Sequence, residues 1–313
     1  VNAINSAMAA GRPLLVTGEP GVGKSQLARA AAKSLGRAFY SITVDSRTEA
    51  HDLIWHFDAV ARLRDAQVAR AGELGAETSL NVEHYVKPRA LWWGLSWKTA
   101  NGRAPSEEPF QADGGCHKHG AVVLIDEIDK GEADVPNGLL DALGSGGFVP
   151  YGTNRRIEMA SDTPPLIVIT SNGERVLPDA FVRRCLCLKL HLPDKEHEVV
   201  EWLVQRATDH FGDRFGDNGF IIELAAKLTA EDRVEAERRH WRPLPGQAEC
   251  LDLLKAVDEL TTATGEAPRT IILKVAKFTL RKHPDNDQSR PYKAIANDAR
   301  EGNRQPGDIA PSP

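Results

Sequence analysis

The stretch Gly18–Ser25 constrains this chain more than any other part of the sequence. It reads Gly-Glu-Pro-Gly-Val-Gly-Lys-Ser, which fits the pattern of Gly, four residues, Gly, Lys and Ser or Thr without a mismatch. The apolar run Leu14–Val16 before it predicts a short buried strand, and Gln26–Lys33 after it is rich in strong helix formers. A strand, a glycine-rich turn and a helix N-terminus together predict a phosphate cradle. An ordinary glycine-rich turn is the alternative, but it gives no reason for a Lys-Ser pair that opens the helix.

We expect the whole loop and the residue after it to bind a nucleotide. These residues are Gly18, Glu19, Pro20, Gly21, Val22, Gly23, Lys24, Ser25 and Gln26. In such a loop the Lys24 ammonium reaches the β- and γ-phosphates, and the Ser25 hydroxyl binds Mg²⁺.

A second motif, Ala121–Glu127, joins a continuous apolar run to two carboxylates. The run is typical of a central parallel strand that is buried on both faces. The carboxylates follow at the edge where open α/β sheets bind ligands. Asp126 can hold Mg²⁺ through water, and Glu127 can polarise a water for attack on the γ-phosphate. A strand that simply ends in acidic turn residues is the alternative, and the phosphate loop upstream makes it less favoured.

Two later segments add polar groups to this pattern. Leu166–Thr170 predicts another buried strand, and Asn172 follows it with an amide that could orient the attacking water or touch the γ-phosphate. Leu177–Arg184 predicts a short capped helix that ends in Arg183 and Arg184, before a fifth strand. Adjacent arginines are usually surface charge, but after such a core they can serve the nucleotide of another subunit.

The order of these elements predicts an α/β fold with a five-stranded parallel sheet flanked by helices over residues 1–192. An insert is expected near 71–120 and a hairpin near 148–164. Residues 193–282 have the apolar spacing of helices alone and predict a small all-α lid domain. Residues 283–313 are rich in Pro, Asp, Asn, Arg and Gly with few large apolar side chains, and are expected to be disordered.

Two segments within the first domain allow alternative interpretations. The run Tyr85–Trp97 holds three tryptophans, which either grip a partner from a protruding insert or bury themselves against the sheet. The second alternative is favoured. Cys116–His119 suggests a metal site, but zinc needs ligands from a further segment and none stands out.

Composition excludes several classes of protein. The chain has 313 residues, 41% of them hydrophobic and 27% charged, which is typical of soluble globular proteins. The net charge of −5 supplies no global basic field for nucleic acid, although a local basic stripe remains compatible with it. We find no apolar run of the ~20 residues that span a bilayer and no signal peptide, so no membrane contact is expected. Four cysteines are too few for a disulfide framework, which favours a reduced, cytoplasmic location. Because the chain begins with Val1, we expect its start to be trimmed.

The ordered motifs resemble those of the AAA+ ATPases, and most of all the MoxR group and its dynein-related relatives. The features that carry the resemblance are the phosphate loop, Leu124–Lys130, the hairpin, Thr170–Asn172 and Leu177–Arg184. The resemblance extends over roughly residues 1–282. It implies ATP and Mg²⁺ as cofactors, ATP hydrolysis, and a homo-oligomeric ring, expected to be a hexamer, that remodels or activates a protein client.

The resemblance also implies a role for individual residues. Lys24 and Ser25 match the phosphate and Mg²⁺ ligands, and Asp126 and Glu127 match the Walker B pair. Asn172 matches sensor 1. Arg184 lies where the arginine finger of the family falls, with Arg183 as second choice. In the family, the two inserts line a pore or face partners, which makes candidate contacts of Tyr151, Arg155, Arg156 and the tryptophans.

The chain departs from the family pattern in two places. The sensor 2 arginine of the family lies near the start of a lid helix, where this chain has Gln247 and Ala248; Arg242 just upstream is a candidate substitute. The segment 71–120 is also longer and more polar than expected.

Two other functions remain open from the sequence. One is a DNA-directed motor or restriction-type NTPase, which Arg155 and Arg156 favour and the net charge disfavours. The other is a nucleotide-gated switch or scaffold with little turnover, which the intact pair of Asp126 and Glu127 disfavours.

Overall fold

The computed structural model describes residues 1–70, 81–160 and 162–292. The chain divides into two compact units. The first contains Val1–Glu19 and Lys24–Leu190, and the second contains Pro20–Gly23 with the chain from His191 onward. Small parts of the predicted insert and hairpin, and most of the predicted tail, lie outside the described residues.

The first unit alternates strands and helices along most of its length. In chain order its elements are α1 (Asn2–Ala10), β1 (Leu14–Gly18), α2 (Lys24–Leu35), β2 (Arg37–Thr43), β3 (Trp55–Phe57), α3 (Ala59–Arg70), β4 (Val86–Pro88), α4 (Ala90–Leu95), α5 (Trp97–Arg103), β5 (Cys116–Asp126), α6 (Asp134–Gly144), β6 (Gly147–Phe148), β7 (Ile157–Glu158), β8 (Leu166–Ser171), α7 (Asp179–Val182) and β9 (Leu186–Leu190).

Five strands form one sheet in the order β2-β5-β8-β1-β9, and every neighbouring pair is parallel. The register pairs Leu14 with Val168 and Val122 with Leu166. All of β8 and the stretch 120–125 of β5 are buried, as the apolar runs of a sheet covered on both faces require. The predicted α/β class with a five-stranded parallel sheet is confirmed.

The carboxyl ends of three neighbouring strands position the candidate site. β1 ends at Gly18, β5 at Asp126 and β8 at Ser171. Because the strands are parallel, these ends meet at one edge of the sheet, where open α/β sheets bind their ligands.

Strand β5 begins earlier than the sequence predicts. Its apolar run starts at Ala121, but the strand starts at Cys116 and pairs there with Arg37 across a shift of register. His117 in this extension stacks on Trp97, with ring centroids 3.5 Å apart. Within the described ranges, no cluster of three or more His, Cys, Asp or Glu residues could hold a metal ion. The zinc interpretation of Cys116–His119 therefore gains no support.

The tryptophan-rich stretch packs against the sheet. Trp92 and Trp93, both in α4, are 0% and 1% exposed. Trp93 stacks on Tyr40 of β2 with centroids 6.2 Å apart, and Trp92 meets Phe148 edge-on at 5.2 Å. These two tryptophans follow the favoured interpretation, in which they bury themselves against the sheet. Because they are buried in the core, they are closed to the partner contact that the resemblance implies.

A short hairpin lies where the sequence predicts one, and its strands β6 and β7 pair in antiparallel orientation. Tyr151 at its tip is 52% exposed, and its ring stacks on Trp55 at 5.8 Å and meets Phe57 edge-on at 5.2 Å. Arg155 and Arg156 are both exposed. These three side chains remain accessible, as the resemblance implies for residues that meet a partner.

The second unit is helical. Its helices are α8 (Glu196–Phe211), α9 (Phe220–Arg238), α10 (Gln247–Thr264) and α11 (Pro268–Thr279). Val199, Leu203 and Ala207 of α8 are buried at the four-residue spacing of one helix face. Helix α9 continues through the buried polar residues Asp232 and Arg233, which interrupt its apolar pattern without interrupting the helix.

Part of the segment expected to be disordered packs onto α9. The Tyr292 hydroxyl donates to Asp232 Oδ2 at 2.8 Å, and Arg290 Nη2 lies 2.8 Å from Asp232 Oδ1. Arg281, just before this segment, donates through Nε to the same carboxylate at 3.4 Å. Residues 283–292 are thus tied to the helical unit, while the rest of the predicted tail, 293–313, lies outside the described residues.

None of the helices in the described part of the chain is both long and apolar enough to cross a membrane.

Candidate active site

The loop between β1 and α2 has the backbone of a phosphate cradle. Gly21 and Gly23 adopt φ angles of 76° and 94°, which favour glycine over any residue with a side chain. Helix α2 begins at Lys24 and has no acidic residue in its first turn, so its N-terminal N–H groups and dipole favour an anion. Of the other predicted loop contacts, Val22 is buried and Pro20 is exposed, and Gln26 is exposed in the first turn of α2.

Lys24 is held inside the loop. Its side chain is nearly buried, and Nζ donates to the carbonyl oxygens of Gly18 and Glu19, each at 2.8 Å. Burial lowers the pKa of Lys24, while the nearby carboxylates of Asp126, Asp129, Glu127 and Glu19 oppose that shift. The surrounding carboxylates therefore stabilise the Lys24 ammonium, which lies beside the cradle in a position to bind a phosphate.

Ser25 and Asp126 lie together although they are distant in sequence. The Ser25 hydroxyl contacts both carboxylate oxygens of Asp126, at 2.8 and 2.9 Å. A hydroxyl and a carboxylate are the hard oxygen ligands that Mg²⁺ prefers, and Mg²⁺ normally keeps several waters and takes phosphate oxygens as further ligands. These two residues fit the predicted metal site and would hold the ion there.

Glu127 has a restrained backbone and a restrained carboxylate. Its φ of 60° lies in the left-handed region, and its N–H donates to Thr170 Oγ1 at 2.9 Å. Oε1 accepts from Asn172 Nδ2 at 3.2 Å, and Oε2 lies 2.8 Å from the ammonium of Lys130. The structure therefore brings together Glu127 and Asn172, the side chains that the sequence predicts to polarise and orient the attacking water.

Thr170 and Asp129 also support this site, although no motif in the sequence assigns them a role. Thr170 is fully buried, and its hydroxyl donates to Asp126 Oδ1 at 2.5 Å while accepting from the Glu127 N–H. Asp129 is 2% exposed and accepts from the backbone N–H groups of Asn172, at 3.3 Å, and Glu174, at 2.9 Å. The sequence signal that could have identified them is a polar residue within an otherwise buried stretch. Such a residue needs a hydrogen-bond partner, because buried polar groups are almost always paired.

Arg183 and Arg184 lie away from the phosphate loop of their own chain. They precede β9, whose first residue Leu186 pairs with Leu14 at the start of β1, so they belong to the amino edge of the sheet. The five residues of β1 separate that edge from Gly18, a rise of about 13 Å. Both side chains are exposed, and neither guanidinium has a hydrogen-bond or ion-pair partner in the part of the chain that the structure describes.

Arg242, the candidate substitute for sensor 2, is an exposed residue of the second unit. Its Nη1 donates to the neighbouring Trp241 carbonyl at 3.1 Å.

Fold and site together define a P-loop nucleotide-binding protein of the α/β class. The chain matches the model of the AAA domain, dynein-related subfamily, over residues 13–188. More than half of the chain is covered, and the chain therefore belongs to this family of AAA+ ATPases.

Comparison with individual proteins does not define the function of the chain more closely than the family does. No curated protein matches the chain. Among solved structures, a mutant of RuvB from Thermotoga maritima is 16% identical with a TM-score of 0.46, and the alignment covers 88% of this chain and 67% of that one. The Thermotoga maritima RuvB Holliday junction branch migration motor is also 16% identical, with a TM-score of 0.41 and coverage of 88% and 66%. The chain thus spans about two thirds of the length of these RuvB chains, and likeness at this level says nothing about what it acts on.

Proposed function

We propose that this protein hydrolyses ATP, with Mg²⁺, at the carboxyl edge of its sheet. The observation that carries the proposal is the contact between Glu127 Oε1 and Asn172 Nδ2 at 3.2 Å, beside the contact of Ser25 with Asp126. A carboxylate base held by a neutral amide, next to a metal-binding pair, is the arrangement needed to activate water against a phosphate.

Each side chain has a distinct task in the proposed reaction. The loop N–H groups and Lys24 bind the β- and γ-phosphates. Ser25 and Asp126 hold Mg²⁺, which neutralises charge on the phosphate oxygens when bound. Glu127 accepts a proton from a water whose oxygen forms the new bond to the γ-phosphorus, while the bond to the ADP oxygen breaks. Asn172 orients the Glu127 carboxylate and the water.

Arg184, with Arg183 as second choice, acts at the site of a neighbouring subunit. Support comes from its exposed and unpaired guanidinium in the described chain, and from its position at the opposite edge of the sheet from its own loop. An arginine finger is worth about 10³–10⁵ in rate, so a lone subunit turns over slowly. We infer a cytoplasmic ring of identical subunits, expected to be a hexamer, that remodels a protein client in the manner of MoxR proteins.

The decisive experiment compares the wild type with Glu127→Gln. Binding of a fluorescent ATP analogue and steady-state phosphate release are measured over a range of protein concentrations. The variant is expected to bind ATP normally and to release no phosphate, and the specific activity of the wild type is expected to rise with concentration as rings assemble. An active Glu127→Gln variant excludes Glu127 as the base. A wild type that binds ATP without turnover at any concentration favours the switch or scaffold.

A DNA-directed motor is the second candidate, and the exposed Arg155 and Arg156 of the hairpin favour it. Its test is phosphate release with and without duplex and single-stranded DNA at two salt concentrations. Strong stimulation that salt removes supports this function, because phosphate contacts release counterions. Turnover that is indifferent to DNA supports the protein client.

A further inference from the structure

Arg12 donates hydrogen bonds to the backbone of both candidate arginine fingers. Its Nε donates to the Arg184 carbonyl at 3.0 Å, and its Nη2 donates to the Arg183 carbonyl. One planar guanidinium therefore holds two successive carbonyl oxygens, which is the fork geometry that arginine offers and lysine does not.

The N–H groups of Arg183 and Arg184 donate to the carbonyls of Asp179 and Phe181, each at 3.0 Å, and Arg12 supplies the partner for their carbonyl oxygens. Helix α7 is only four residues long, and carbonyl groups at a helix C-terminus lack partners within the helix. A cation at that end is favourable, because the carbonyl dipoles point toward it. The side chains of Arg183 and Arg184 add nothing, since neither has a polar partner within the described residues.

Arg12 is itself firmly placed. Helix α1 ends at Ala10 and is capped by Gly11, whose φ of 58° turns the chain, and the Arg12 N–H donates to the Ala7 carbonyl at 3.1 Å. The next residue, Pro13, accepts the Leu186 N–H at 2.8 Å. The Arg183–Arg184 turn and the first residue of β9 are thus hydrogen-bonded to the segment that leads into β1.

The three arginines are all exposed and lack acidic partners, since within the described ranges no carboxylate pairs with Arg12, Arg183 or Arg184. The exposed guanidinium groups of Arg183 and Arg184 therefore suit an anionic group, such as a phosphate bound by a second copy of this chain.

We propose that Arg12 is a positioning residue that holds the Arg183–Arg184 turn so that Arg184 reaches the nucleotide of a neighbouring subunit. The inference rests on the proposed trans action of Arg184. Arg12 touches no substrate; it fixes the backbone from which the finger projects.

The experiment uses the full chain with Arg12→Ala, Arg12→Lys and Arg184→Ala, and Lys98→Ala as a control at another exposed cation. Oligomer size, affinity for a fluorescent ATP analogue and phosphate release are measured for each. Arg12→Ala is expected to keep its size and its ATP affinity and to lose at least tenfold in turnover. Arg12→Lys is expected to retain an intermediate rate, because an ammonium can hold one carbonyl. Lys98→Ala is expected to match the wild type.

Mixing separates a positioning role from a general loss of structure. Arg12→Ala subunits have an intact site and a displaced finger, whereas Glu127→Gln subunits have an inactive site and an intact finger. A mixture is expected to exceed the activity of either variant alone. The inference is overturned if Arg12→Ala turns over within twofold of wild type while Arg184→Ala is impaired, or if mixing restores nothing to Arg12→Ala but restores Arg184→Ala. If Arg184→Ala itself is fully active, the trans finger fails instead.

Discussion

Asn172 and Glu127 meet across two neighbouring strands, with Asn172 Nδ2 donating to Glu127 Oε1 at 3.2 Å. Each follows the end of a strand, β8 for Asn172 and β5 for Glu127, and these two strands pair in parallel. Asp129 accepts a hydrogen bond from the backbone N–H of Asn172. The Lys130 ammonium lies 2.8 Å from Oε2 of the Glu127 carboxylate. The orientation of the proposed base therefore depends on a small network rather than on Glu127 alone.

Asn172→Ala should reduce turnover while leaving ATP affinity unchanged. The amide orients a base whose contribution is typically about 10²–10⁴ in rate, and its loss should remove about tenfold or more of that. Asn172→Gln, which keeps the amide on a longer side chain, is the matched control. Phosphate release and equilibrium ATP binding are measured on the same preparations. A rate within twofold of wild type for Asn172→Ala would exclude this role.

Thr170→Val should destabilise the first unit and slow turnover. The substitution removes the hydroxyl that binds Asp126 and leaves the Glu127 N–H without its acceptor, at a cost of about 1–3 kcal/mol. Thr170→Ser keeps the hydroxyl and serves as the control. Chemical denaturation gives the free energy of unfolding for both. Equal stability of the two variants would show that the hydroxyl contributes little.

Trp93→Ala should cost about 3–5 kcal/mol in unfolding free energy, because the ring is 1% exposed and packs against the sheet. Tyr151→Ala should cost less than about 1.5 kcal/mol, since its exposed ring gains mainly from stacking. Denaturation of both variants provides the comparison. Similar losses would mean that the two aromatic side chains are not divided between core and surface in this way.

The helical unit should lose stability in acid through Glu235. Hydrogen bonds from Arg238 above all, and then from Arg239, lower the pKa of Glu235 from 4.5 to about 2. A depressed carboxyl pKa stabilises the fold above about pH 4.5, and this contribution disappears as the pH falls toward 2. The melting temperature of the wild type should therefore exceed that of Glu235→Gln at pH 7. The difference between the two melting temperatures should shrink toward zero as the pH approaches 2. A difference independent of pH would contradict the role of the charge.

Local patterns in the sequence were enough to propose the phosphate loop, the Asp126–Glu127 pair and Asn172 as site residues, and the structure places Ser25 beside Asp126 and Asn172 beside Glu127. The loop needs glycines and a helix start, and the carboxylates follow an apolar run, so each signal lies within a few neighbouring residues. Thr170 and Asp129 could not be assigned in this way, because their importance arises from contacts with residues more than 40 positions away. The core position of Trp92 and Trp93 likewise depends on the strands they cover.

The position of Arg183 and Arg184 in the fold shows a different limit of prediction from sequence. Their motif predicted exposed cations after a short helix, and the structure places them at the amino edge of the sheet, away from the loop in the same chain. Nothing local to that motif indicates Arg12, which lies over 170 positions earlier in the sequence.

The most direct test of a composite site is a mixture of Glu127→Gln and Arg184→Ala subunits. Each variant alone should be nearly inactive, the first through its missing base and the second through its missing finger. In mixed rings, Arg184→Ala sites adjacent to Glu127→Gln subunits receive an intact arginine, so phosphate release should rise well above the sum of the separate variants. A mixture whose activity equals that sum would contradict a site completed by the neighbouring subunit.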